Sequence, residues 1–495
     1  MWKIFFHSVE NRYVAGVRSQ HQRLAVLLAA VWSAAAVPAV QAAEVLALSL
    51  EEAMVRALEH NRDLVKGALD VEGSRLAAER ARETVQGIQL TPQGAGGEGS
   101  DSGHWQGGLR AETTGPYGTR MAAEALVRQL EVADTPDQRR GEIRVEVSQP
   151  FFRNFGPLVR NEPVVAANET LLAARRAWER DRSALAVHVA ELYEDLIVLH
   201  GQIASDEAFA ARLEKLWGLA DAREQQAKAS RTEVLRMDLQ RGEAVLRLET
   251  ERSQLAIRFQ EFANLLGMPL DSVFRLTPPP VLDLDVPDAA RAVAVAFAER
   301  PDYAQALQDI ETGDRQLRLA RRNLLPDLRL SGSQTTFGEG EEWSDAGRLD
   351  QDDWFVGLTA DMNLNLRGAR LDVARAGVEA DARRQVAEIV RNRLALEVNA
   401  GLANYTRARA ERELAMRNRE LAARRAELAR ALFEAGRASA DSVSDAEADL
   451  SQAELSELEA QRAASVSAYR LLHVLGTLVP VPRELLRADH GRNPA

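Results

Sequence analysis

The chain has 495 residues, 46% of them hydrophobic and 27% charged, with a formal net charge of −12 and no cysteine. Composition of this kind at this length supports a large core in two or more parts. Without cysteine there are no disulfides, thiolate metal sites, cysteine nucleophiles or iron–sulfur ligands, and no N-terminal cysteine to acylate.

Residues 1–43 read as a signal peptide. A basic n-region ends at Arg18 and Arg23, an apolar run spans Leu24 to Val37, and Val40-Gln41-Ala42 offers small residues at the cleavage offsets. A retained N-terminal anchor is the alternative, but the run is short and rich in alanine for a transmembrane helix. The leader carries four basic residues and one acidic residue, so the mature chain stands at −15. Such an acidic chain is a poor partner for nucleic acid, whose phosphates need a basic face.

The remainder reads as two copies of one pattern. A shift of 239 places Ala53, Ala57, Asp63 and Glu72 upon Ala292, Ala296, Asp302 and Glu311. A shift of 209 places Ser230, Val234, Ala244 and Leu246 upon Ser439, Val443, Ala453 and Leu455, and Leu266-Gly267 upon Leu475-Gly476. The first repeat spans 44–277, a Pro-rich junction 278–288, the second repeat 289–476 and a C-terminal tail 477–495.

Taken in order, the first repeat opens with a helix over Leu48 to Thr84. Strands follow over about 85–150, then a long helix over 164–229 and another over 232–266. The second repeat offers a helix over 289–324, strands over about 327–366, a long helix over 370–437 and a last helix over 439–475. No proline interrupts Val164 to Met268 or Asp327 to Val479, and both stretches abound in the helix formers Ala, Leu, Glu and Arg. Leu185, Val189, Leu192, Leu196 and Leu199 follow the 4-3-4-3 spacing of a coiled-coil seam. The patches Ala229 to Thr232 and Gly436 to Ser439 read as tight helix–helix turns. The 66 residues of 164–229 make a helix of roughly 100 Å, close to the combined length of its two shorter neighbours. Each copy is therefore one long helix beside two short ones stacked end to end, a slab expected to associate with copies of itself.

The strand segments alternate. Val356, Leu358, Ala360, Met362, Leu364 and Leu366 share one side of Trp354 to Leu366, with Gly357, Thr359, Asp361, Asn363 and Asn365 on the other. A partner strand is expected over Asp327 to Phe337. In the first copy Ile143, Val145 and Val147 alternate with Glu142, Arg144, Glu146 and Ser148. Period 2 over ten residues suits a tilted membrane strand, though a soluble sheet with one wet face alternates identically. Of the mature tryptophans, Trp105, Trp343 and Trp354 lie in or beside these segments, where an interfacial girdle would put them.

These residues resemble the TolC family of outer-membrane efflux proteins across nearly the whole mature chain. The resemblance is carried by Leu48-Ser49-Leu50-Glu51-Glu52-Ala53 with Asn61-Arg62-Asp63-Leu64, by Arg300-Pro301-Asp302-Tyr303, and by Leu324-Leu325-Pro326-Asp327-Leu328. Val147 to Arg153 and Phe433 to Ala446 carry it further. It implies an α+β membrane protein whose long antiparallel helical hairpins form a periplasmic α-barrel and whose strands form a shared outer-membrane β-barrel. It also implies a homotrimer set in outer-membrane lipid, with a periplasmic adaptor (a membrane fusion protein) and an inner-membrane transporter as partners. The implied function is a passive duct of tripartite efflux or type I secretion; drug, metal and protein export all stay open.

The resemblance further implies an acidic constriction at the helical tips. Asp445 occupies one of the family's aspartate positions; the other is Ser442, with Asp441 just before it. Glu233 offers a latch partner from the first repeat, Arg437 precedes the basic latch position, and Phe433 stands where some relatives have a hydroxyl-bearing ring. Asp441 and Asp445 also suit a helix N-terminus for its dipole alone. The sequence departs from the family at Asn363, where a proline is usual, and in a possible extra hairpin around Leu109 to Leu130 that turns at Gly115-Pro116-Tyr117-Gly118.

Enzyme signals fail. Gly94 to Gly99 fits G-x-G-x-x-G but runs into Ser100-Asp101-Ser102-Gly103 rather than a helix, and reads as a flexible loop. His188 and His200 lie too far apart to share a metal, and no H-E-x-x-H or G-x-S-x-G occurs. No catalytic site, metal or cofactor is expected. A soluble periplasmic coiled-coil scaffold or adaptor is the alternative, although its β-modules would lie outside the hairpins rather than within each repeat.

Overall fold

A computed structural model describes residues 46–99, 102–132, 136–225, 230–280, 282–285, 288–362, 366–435 and 437–479. The expected signal peptide, Ala229 and Gly436 of the two expected helix–helix turns, Asn363 and the tail from 480 lie outside the described residues.

The chain divides into two compact units, and these are not its two halves. One unit draws on Met1–Lys66, Trp178–Pro301 and Arg391–Ala495, the other on Gly67–Ala177 and Asp302–Val390. Each therefore takes segments from both halves of the chain.

The first unit is helical. After a short strand β1 (Leu46–Leu48) come α1 (Leu50–His60) and the start of α2 (Arg62–Gln86). Ser49 caps α1: its hydroxyl accepts from the Glu52 N–H at 3.3 Å, and Glu52 Oε2 accepts from the Ser49 N–H at 2.9 Å. The single helix expected over 48–84 is broken at Asn61, whose Oδ1 accepts from the Asp63 and Leu64 N–H groups at 3.0 and 3.2 Å. An asparagine that caps a second helix ends the first. The same occurs at Arg300, between α6 (Ala289–Glu299) and α7 (Pro301–Arg322), because Pro301 suits the first helical position and keeps Arg300 extended.

Four long helices complete the pattern: α4 (Glu162–Gln225), α5 (Arg231–Leu265), α9 (Leu366–Glu434) and α10 (Ala440–Val474). The expected seam is inward, with Val189, Leu192 and Leu196 buried against Ala53, Ala57, Phe262, Ala263 and Leu266. A second cluster joins Ala292 and Ala296 to Val398, Leu402, Tyr405, Ala468 and Leu471. Alanines on the short helices let the long ones approach closely. Tyr193 ties this core to the end of β1 and to Thr277: its hydroxyl donates to the carbonyls of Leu48 or Thr277 (2.8 and 2.7 Å) and accepts from the Thr277 N–H at 3.0 Å. β1 pairs in parallel with β6 (Phe274–Leu276) beside it.

The second unit holds a six-stranded antiparallel sheet in the order β2-β3-β4-β5-β7-β8. Its strands are β2 (Gln89–Glu98), β3 (Ser102–Thr114), β4 (Arg120–Val132), β5 (Gln138–Phe152), β7 (Asp327–Gly340) and β8 (Gln351–Asp361). The extra hairpin is thus part of the sheet, hydrogen-bonded on both sides. A short helix α3 (Pro157–Arg160) follows β5, and α8 (Trp343–Ala346) joins β7 to β8. The strand expected to reach Leu366 ends at Asp361; Leu366 is already the first residue of α9.

The Gly-rich run read as a loop is instead the body of β2. The Trp105 ring lies across it: a Cβ at Gly96 would sit 3.7 Å from that ring, and one at Gly107 only 3.2 Å. The glycines leave room for an aromatic side chain, and strand pairing overrides their low strand preference.

Candidate functional site

Residues opposite one another in register share a face of a sheet, and neighbours along a strand alternate. On one face Leu109, Ala125 and Ile143 form a row; so do Leu90, Ala111, Ala123, Val145 and Trp354, and Met121, Val147 and Val356. Thr113, Gln129, Gln149, Gln334, Thr336 and Asp352 are among its polar interruptions. The other face sets Arg110, Glu124 and Arg144 in one row and Gln106, Arg128, Arg140 and Glu339 in another, with Leu126, Glu142 and Phe337 in the row between. Ion pairs knit it, across strands from Arg128 to Glu142 at 2.6 Å, Arg140 to Glu339 at 3.4 Å and Arg120 to Glu112 at 2.9 Å, and along β5 from Arg140 to Glu142 at 3.1 Å.

Aromatic residues mark both ends of the apolar face. At one, Trp105 and Trp343 meet edge to face at 6.2 Å, and the Arg139 guanidinium lies 5.6 Å from the Trp343 ring. At the other, Phe151 and Phe152 close β5, and Tyr117, in the turn of the extra hairpin, stacks on Phe155 at 5.8 Å. Between Arg139 and Phe151 lie roughly 40 Å of strand, or about 30 Å of thickness at a tilt near 40°. That matches the hydrocarbon core of a bilayer. Among the described residues no helix is long and apolar enough to cross a membrane.

The helical unit carries the expected tip residues. Ser439 caps α10 by accepting from the Ser442 N–H at 3.3 Å, and its hydroxyl lies 3.0 Å from that of Ser442. Asp441 is in the first turn and accepts from Arg236 Nη1 at 2.6 Å. Asp445 lies one turn on, exposed, as are Ser442 and Arg437. Arg437 contributes a backbone N–H to the Leu432 carbonyl at 2.8 Å. The Glu233 side chain lies outside the described residues. Phe433 is not at the surface; it packs with Phe209, Leu213 and Val443. The structure therefore unites Asp441 with Arg236, a partner the sequence did not suggest, 205 residues away.

Two buried charge clusters also escaped the sequence. Glu447 is only 1% exposed and ion-paired with Arg212 at 2.6 Å and with Arg430. Its pairing raises the Arg430 guanidinium above its usual range. The available signal was its position on the Val443, Ala446, Leu450 stripe, where a charge needs a partner. Glu251, on α5, accepts from Gln202 Nε2 at 2.5 Å and faces Asp206, on α4. Burial, then the Asp206 carboxylate, pushes the Glu251 carboxyl up to about 7. Arg247 stands 4.0 Å from Asp206 on the open side of a cavity that Gln202 and Glu251 also line. Among the described residues no group of acidic or histidine side chains could hold a metal ion.

An apolar face with aromatic margins, opposed by a charged face, has the dimensions and chemistry of a sheet that meets a bilayer on one side. Residues 293–477 match the outer membrane efflux protein family. In fold, the Campylobacter jejuni CmeC outer membrane channel matches with a TM-score of 0.70 at 14% identity, covering 89% of this chain and 88% of its own. The Neisseria gonorrhoeae MtrE outer membrane channel matches at 0.66 and 16% (87% and 89% covered), and the Vibrio cholerae outer membrane protein VceC at 0.65 and 16% (86% and 96%). No curated protein matches the chain in sequence. Residues 293–477 are thus similar to the outer membrane efflux protein family, and the fold of the described chain is that of outer membrane channels such as CmeC and MtrE.

Proposed function

We propose that this protein is the outer-membrane duct of a tripartite efflux or type I secretion system, a homotrimer that conducts passively. An inner-membrane transporter, reached through a periplasmic adaptor, supplies the energy. The carrying observation is the sheet: one face is apolar over six strands, the other is charged, and β2 and β8 end it as open antiparallel edges of 10 and 11 residues. Such edges cannot stay unpaired in hydrocarbon, so closure with neighbouring copies satisfies them.

The two-repeat organisation is part of the same proposal. It is supported by paired elements of equal length, 11 residues in α1 and α6 and 35 in α5 and α10, and by Gly267 and Gly476 at matching helix ends with φ of 69° and 75°. At the tips, Asp441, Asp445 and Ser442 form a threefold constriction, with Glu233 and Arg437 beside it. Carboxylates repeated by symmetry in a narrow pore repel one another and attract cations. The Arg236 pair supports a latch role for Asp441.

The first test is fractionation. Retention in outer membranes after an alkaline carbonate wash supports the duct, whereas release into the periplasmic fraction would leave a soluble scaffold. In planar bilayers, joint Asp441→Asn and Asp445→Asn should lower cation selectivity severalfold; unchanged selectivity would remove these residues from the constriction.

A further inference from the structure

We infer that the hairpin β3–β4 is inserted in the barrel wall, so that the closed assembly has eighteen strands and a water-filled passage wide enough for polymeric polar cargo such as an exported polypeptide. The inference rests on the threefold duct proposed above, and it concerns what that duct admits.

The hairpin is neither a cap nor a plug. β3 pairs with β2 along ten residue pairs and β4 pairs with β5 along eleven, so the hairpin stands within the sheet between β2 and β5. Its turn is fastened where the strands meet α3. The Gly156 N–H donates to the Tyr117 carbonyl at 3.1 Å, Arg160 donates to the carbonyls of Val85 and Thr114, and Gly118 adopts a φ of 88° that a side chain would strain. Its side chains obey the two-faced pattern of the whole sheet, with Leu109, Ala111, Ala123 and Val127 on the apolar face and Gln106, Arg110, Glu112, Glu124 and Arg128 on the charged one.

Six strands is an even number, so the two edges run antiparallel and join copy to copy without a parallel seam. At a strand spacing of about 4.8 Å and a tilt near 40°, eighteen strands give a wall roughly 36 Å across; four strands per chain would give about 24 Å. After side chains, the wider wall leaves about 24 Å, twice the width of a helix with its side chains. The β7–β8 connection does not close it. Gly141 and Gly338, both on the apolar face, lie directly under Ala346 and Asp345, so α8 folds over the outer side of the sheet. The opposing face carries ion pairs of both signs, suited to hydrated cargo without preference for one charge.

The absence of cysteine gives a clean background for labelling with thiol-reactive polymers from outside intact cells. Single variants Gln106→Cys and Glu124→Cys should react with a hydrophilic maleimide more than tenfold faster than Leu109→Cys and Val127→Cys. Glu146→Cys against Val145→Cys is the same comparison on β5. If β5 discriminates and β3–β4 does not, the hairpin lies outside the wall and this inference falls while the duct stands. If neither discriminates, the duct itself falls. For width, Glu146→Cys should react with a maleimide polymer about 20 Å across. Excising residues 100–135, which leaves β2 to pair with β5, should abolish that reaction. Counting strands by cryo-electron microscopy of the intact protein in nanodiscs stands independent of the excised variant: eighteen supports the inference and twelve overturns it.

Discussion

The sheet and the helical unit both carry many charges, but they hold them differently. In the sheet, arginine and glutamate pair across strands on a wet face, and most of the partners stay partly exposed. In the helical unit, Glu194, Asp206, Glu251 and Glu447 are all at least 94% buried. Exposed pairs are screened and add little stability, whereas a buried carboxylate depends wholly on its partners. The sheet can therefore tolerate changes of charge that the helices cannot.

The largest break in this contrast should come at Glu447. Glu447→Ala leaves Arg212 and Arg430 facing each other across a closed interface, and should cost about 3 kcal/mol. Hydrogen exchange in the first turns of α10 would report the loss; unchanged protection would mean the pair is dispensable.

Next comes Glu251, where pH sharpens the comparison. Its folded-state carboxyl titrates at about 7, above its ordinary value of 4.5, so the folded protein holds the extra proton between these limits. This contribution is fully present below about pH 4.5 and is lost as pH rises through 7. Glu251→Gln keeps the hydrogen-bonding shape without the charge. It should match the parent near pH 5 and exceed it by about 2 kcal/mol near pH 8. Equal pH profiles for the unfolding midpoint would show that the carboxyl is not under strain from Asp206.

Tyr193→Phe should cost about 1–2 kcal/mol, because the Leu48 and Thr277 carbonyls and the Thr277 N–H lose a shared partner. A urea midpoint unchanged from the parent would argue that water replaces the hydroxyl. Smallest is Arg128→Gln on the charged face of the sheet, expected to cost less than about 1 kcal/mol despite its 2.6 Å contact with Glu142. A larger loss of heat resistance in detergent would mean that the face is drier than its exposure suggests.

Much of the architecture was legible because it rests on short-range regularity. The alternation of Ile143, Val145 and Val147 and of Val356 and Leu358 marks strands, and long proline-free runs of Ala, Leu, Glu and Arg mark helices. The break at Asn61 does not show in the sequence because helix formers continue on both sides of a single capping residue. At the tip, the cap at Ser439 follows from local chemistry. The pairing of Asp441 with Arg236 does not, since no periodicity links residues on separate hairpins.

By itself the sequence determined the long helices, the two-faced character of the strands and the absence of thiol chemistry. These depend on side-chain period and composition, which are local. Only the tertiary structure decided that Gly94 to Glu98 is strand rather than loop, that the extra hairpin stands within the sheet, and which carboxylates are buried beside which cations. Those outcomes depend on register and on burial. A glycine-rich segment pairs when a neighbour presents matching backbone groups and a tryptophan that needs the space, and a glutamate is strained only once another helix has closed over it.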